Sequence, residues 1–155
     1  MTTQEKIGFK NNLKNWGLDL LKERINTARE AMNQAQEAAN SEEKSSAGDK
    51  YETGRAMGQL QKEMHARHLA ESLKELAALQ VIPVDAINVH GAAGAILRTE
   101  GITFFISAGL GKQEVGGTTI LFLSPLAPLA RQLQNKRVGD SIPFGGGSLT
   151  IVEIF

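Results

Sequence analysis

The 155-residue chain contains no cysteine. That excludes disulfides, thiolate metal sites and every enzyme with a cysteine nucleophile, and it fits a reducing compartment. It lacks a charge of one sign: 17 Lys and Arg balance 17 Asp and Glu, so there is no global footprint for nucleic acid or an anionic membrane. Proline is rare, four in all, and none precedes Pro83. No apolar run approaches the ~20 residues of a membrane span, and Met1 to Lys14 has no continuous apolar core of a signal peptide. The expectation is a soluble, cytoplasmic protein. No Ser/His/Asp order suggests a triad, and there is no self-contained catalytic constellation. An independent enzyme is therefore not expected, and no catalytic or resident metal residue is assigned.

What is present first is a long polar, helix-forming run from about Lys14 to Leu79. Leu18, Leu21, Ile25, Ala28, Met32, Ala35 and Ala39 alternate steps of three and four, the spacing of a coiled-coil seam. A polar break at Asn40 to Gly48 suits an antiparallel turn. Beyond it Met57, Leu60 and Met64, then Leu69, Leu73 and Leu76, continue the pattern with a phase shift at the step of five. Residues 1–80 thus read as an antiparallel helical hairpin with its tip near 40–52. The helix begins or bends at Gly17, and Trp16 lies on the seam or packs at the hairpin's root, the latter being the expectation. Small seam residues toward the tip allow close approach, so the hairpin narrows there.

At the tip, Ser46 and Asp49 have capping-box spacing, which starts the second helix near Ser46. Glu42, Glu43, Asp49 and Glu52, with Tyr51, form an acidic cluster. Acids in a first turn complement the helix dipole; presented together, they are also the oxygen donors that Mg²⁺ prefers. His65 and His68, three apart, have no matching ligand cluster, and His68 reads as a half-buried packing residue.

After Pro83 the composition changes to glycine, β-branched residues and phenylalanine. Residues 81–155 read as a small α+β module. Strands are expected at Ala93–Thr99, Ile102–Ser107, Thr118–Leu123, Asp140–Phe144 and Ser148–Phe155. A short helix is expected at Leu126–Leu133, and turns at Glu100-Gly101, Gly109 to Gly117 and Gly145-Gly146-Gly147. Gly109-Leu-Gly-Lys112 lacks the second glycine and the following helix of a phosphate loop. Gly91-Ala-Ala-Gly94 lacks the setting of a dinucleotide site, and His90 reads as structural. Phe104, Phe105, Phe122, Phe144 and Phe155 are assigned to the core.

The stretch Ala127-Pro-Leu-Ala-Arg-Gln-Leu-Gln-Asn-Lys-Arg-Val-Gly-Asp140 resembles a motif of the bacterial Gre transcript-cleavage factors, GreA and GreB. In that family such a helix ends in Gly-Lys, then Gly-Asp, before a strand, a glycine turn and a final strand. Here Asn135 stands where glycine is usual, and asparagine also accepts a left-handed helix end. The order of helical hairpin and FKBP-like module matches as well, so the likeness spans nearly the whole chain. It implies a fold of coiled-coil hairpin plus a small FKBP-like antiparallel sheet with one helix. It further implies that Ala127, Pro128 and Leu129 dock on RNA polymerase while the hairpin enters the secondary channel. There the acidic tip helps hold a second Mg²⁺ for RNA cleavage, a carboxylate contribution to two-metal chemistry. The factor itself would carry no cofactor, sharing that Mg²⁺ with the polymerase. Its DNA association would be indirect, through the elongation complex.

The tip departs from the family. Cleavage-competent members read Asp-Leu-Ser-Glu-Asn-Ala-Glu-Tyr; anchored on Tyr51, this chain reads Lys44-Ser-Ser-Ala-Gly-Asp-Lys-Tyr51. Lys44 and Ala47 replace the acidic pair. Two outcomes stay open: rearranged acids that support cleavage, or occupation of the channel without it. The alternative from another class is a scaffold that acts by self-association. A seam satisfied within one hairpin favours the monomer, which is the expectation, and an exposed leucine face favours a dimer.

Overall fold

The computed structural model describes the backbone of residues 1–44 and 49–155, and side chains outside 42–51. Helix α1 (Thr3–Lys44) and helix α2 (Asp49–Gln80) precede strands β1 (Ile96–Thr99), β2 (Thr103–Ile106), β3 (Gly111–Val115) and β4 (Thr118–Leu123). Helix α3 (Pro128–Leu133), β5 (Ser141–Phe144) and β6 (Gly147–Ile154) follow. The expected α+β class is found: a helical hairpin, then a sheet with one short helix. The chain forms two compact units, Met1–Leu18 with Ala77–Phe155, and Asp19–Leu76.

Helix α1 starts eleven residues before Lys14 (14 − 3), and the cause is readable. The Glu5 amide donates to Thr2 Oγ1 (3.1 Å) and the Thr2 amide to the Glu5 carboxylate (2.7 Å). This reciprocal capping box satisfies two otherwise orphaned donors. Gly17 does not start the helix, and α1 runs unbroken through it. It is buried, and a Cβ there would stand 2.9 Å from Leu79 Cδ2 and 3.1 Å from Leu110 Cδ1, so glycine permits a close approach. At the other end α1 runs on through Asn40 to Lys44. The expected break there is polar but holds no glycine or proline before Gly48, and the Gln36 amide bonds Asn40 Oδ1 across one turn (3.0 Å).

In the unit Asp19–Leu76, α1 presents the seam as read: Leu21, Ile25, Ala28 and Ala35 are buried, Met32 and Ala39 half-buried. The helices run antiparallel, with Lys62 Nζ donating to Gln36 Oε1 (2.8 Å) and Gly58 facing Ala39. On α2 the expected seam is corrected. Gly54, Gly58, His65, Ala66, Leu69, Ser72, Glu75 and Leu76 are its half-buried positions, so Leu69 and Leu76 lie where expected, while Met57, Leu60, Met64 and Leu73 are exposed. With no side chain at 58, the α2 backbone sits against Ala39 of α1, an approach that a long methionine would prevent.

In the other unit a six-stranded sheet has the order β3-β4-β2-β1-β6-β5. Neighbours are antiparallel except β2 and β4, which pair parallel from Thr103↔Ile120 to Ile106↔Leu123, so the sheet is mixed rather than antiparallel. The difference comes from β3, which lies inside the stretch expected to be a turn. Gly116 and Gly117 alone make that turn, both at positive φ (58° and 80°), as a two-residue hairpin requires. Lys112, Gln113 and Glu114 give an exposed edge strand with no apolar alternation, the pattern by which strands are read.

Central β2 is buried along its whole length. Leu97, Phe104, Ile106, Ile142, Ile151 and Ile154 cluster with Ala130 and Leu133 of α3. The opposite side chains meet the start of α1: Trp16 stacks on Phe122 (5.7 Å between centroids) and Phe9 packs edge-on to Phe155 (5.9 Å). Trp16 is thus the packing residue expected. Phe144 is not core; it is 37% exposed on edge strand β5, where only Ile142 points inward, and merely touches Phe104.

Candidate functional site

Two regions carry the site residues expected from sequence, one in each unit. In the hairpin unit, the side chains of Glu42, Glu43, Asp49 and Tyr51 lie outside the described residues, as does the capping pair Ser46–Asp49. Glu52 is described and exposed on the first turns of α2. His65 and His68 face a groove shared with Glu23 and Glu71, their rings 6.4 Å apart and edge to face. His68 is exposed rather than half-buried; His65 takes the inward position, seven residues from both Gly58 and Ser72. Among the described residues no three His, Asp or Glu side chains are arranged to hold a metal.

The second region is built around α3. The Ala127 amide turns back to the Ser124 carbonyl (3.0 Å), and Pro128 opens the helix where its missing N–H costs nothing. Asn135 closes the segment at φ 64°, the left-handed conformation expected of it. Its amide donates to the Gly91 carbonyl (2.9 Å), and the Gly91 amide donates to the Lys136 carbonyl (2.8 Å). Gly91 has no alternative, because a Cβ there would lie 1.8 Å from the Leu133 carbonyl oxygen. His90 Nδ1 sits 3.2 Å from the Gly91 oxygen, a structural position.

This backbone weld shapes a groove of about 590 Å³. Its floor holds Ile106 and Ala130; its rim holds Leu126, His90 and Arg131. Leu126 is 74% exposed, Pro128 is exposed, and Ala127 and Leu129 are half-buried. The region therefore offers an apolar prominence beside a basic rim. It holds no carboxylate and no nucleophile paired with a base.

Sequence reasoning missed a pair of lysines. Lys10 is fully buried, and its ammonium donates to the Ala86 carbonyl and Asn88 Oδ1, both at 2.7 Å. One turn on, Lys14 Nζ donates to the carbonyls of Gln80 (3.0 Å) and Ile82 (2.8 Å). It so caps the C-terminal end of α2, whose last turn has no basic residue of its own. Burial pushes Lys10 down to about 8, against the Asp85 carboxylate, which raises it. The one available signal was lysine at i and i+4 among the apolar residues Ile7, Phe9 and Leu13. A second polar cluster joins Glu153 to Arg98 (2.9 Å) and Lys6 (3.4 Å), with Arg98 held 5.1 Å from the rings of both Phe9 and Phe155. Burial raises the Glu153 carboxyl, but Arg98 and then Lys6 outweigh it and leave it below the ordinary value.

No family model matches the chain, and no curated protein does. Among solved structures, one described as the structure of the transcription factor Gfh1 is similar at 17% identity and a TM-score of 0.38. The match covers 89% of this chain and 92% of that one.

Proposed function

We propose that this chain is a Gre-like factor that binds RNA polymerase and modulates elongation by placing its helical hairpin in the secondary channel. The observation that carries the reading is the folded form of the Ala127–Asp140 motif. Pro128 opens its helix, Asn135 closes it in the left-handed conformation that the motif's glycine would supply, and Leu126 is presented beside it. Ala127, Pro128 and Leu129 dock, and the FKBP-like module serves as a platform rather than an isomerase. The exposed Glu52, with Asp49, Glu42, Glu43 and Tyr51, stands at the end that meets the polymerase active site. Any Mg²⁺ there is shared with the polymerase, so the chain acts as a modulator and not as an enzyme.

The test is a backtracked elongation complex of the cognate polymerase with Mg²⁺, into which the protein is titrated. Release of short 3′ RNA fragments, lost in Asp49→Ala or Glu52→Ala, identifies a cleavage-supporting tip. Intact RNA with altered pausing, or competition against a cleavage factor, identifies a channel-occupying modulator. Absence of binding to the polymerase refutes the proposal.

A further inference from the structure

We draw no further inference here: the strongest candidate, the exposed apolar stripe of Met57, Leu60 and Met64 along α2, carries none because nothing in the structure shows what covers it.

Discussion

Replacing Lys10 by methionine removes a buried ammonium while keeping an unbranched chain of similar length. The folded protein holds this group at about 8, against 10.5 for an unburied lysine. Between those values the unfolded chain binds more protons than the folded one, so stability rises with pH across the window. Below pH 8 both states are charged and the whole desolvation cost, about 3 kcal/mol, is present; above 10.5 it is gone. At pH 7 the substitution removes this cost but strips the donor from the Ala86 carbonyl and Asn88 Oδ1, at about 1–3 kcal/mol each. The two effects oppose each other, so the difference at neutral pH is small or unfavourable to methionine. The slope decides. Urea unfolding of both proteins at pH 7, 8, 9 and 10 should show the wild type gaining roughly 2.5 kcal/mol on Lys10→Met over that range. Other titrations are common to both proteins and cancel. Parallel profiles, differing by less than about 0.5 kcal/mol over the range, would refute the assignment of Lys10 as a buried, charged clasp.

Two further outcomes follow from the same unit. The Glu153 carboxyl is depressed, so its stabilisation is present above pH 4.5 and is lost as pH falls through the lower folded value. Glu153→Gln should cost about 1 kcal/mol at pH 7 and flatten the acid limb of an unfolding profile; an unaltered acid limb rejects the cluster's contribution. Gly91→Ala drives a Cβ into the Leu133 carbonyl, a backbone atom that cannot swing aside. A loss above about 3 kcal/mol in chemical denaturation is expected, and a neutral result would mean that the α3 weld is not tight.

Much of this architecture is legible in the residues. The α1 seam, Thr118–Leu123, Trp16 at the root and the left-handed Asn135 each follow from one local rule that tertiary packing does not override. Where reading fails, a different rule wins. Met57, Leu60 and Met64 have seam spacing, yet the inward side goes to Gly58, His65 and Leu69, because at Gly58 backbone closeness to Ala39 outweighs side-chain apolarity. β3 is hidden because an edge strand of Gly-Lys-Gln-Glu-Val needs only backbone partners from β4. The start of α1 was available in Thr2 and Glu5. Lys10 had only its spacing to Lys14 among apolar neighbours as a signal, since no periodicity distinguishes a buried lysine from a solvated one.

The pairing of Phe9 with Phe155 and of Lys6 with Glu153 also sets an order of events in synthesis. The helix's first eighteen residues belong with a sheet whose last strand is made last. At the ~5–20 residues per second of translation, they wait roughly 7–27 s for their partners. The contacts inside the unit Asp19–Leu76 are made among residues already synthesised. In the interval Leu13, Trp16 and Phe9 lack their partners in the sheet unit, which leaves these side chains open to chaperones and to mispairing on the ribosome. Slowing translation late in the message should lengthen that exposure without touching the finished fold.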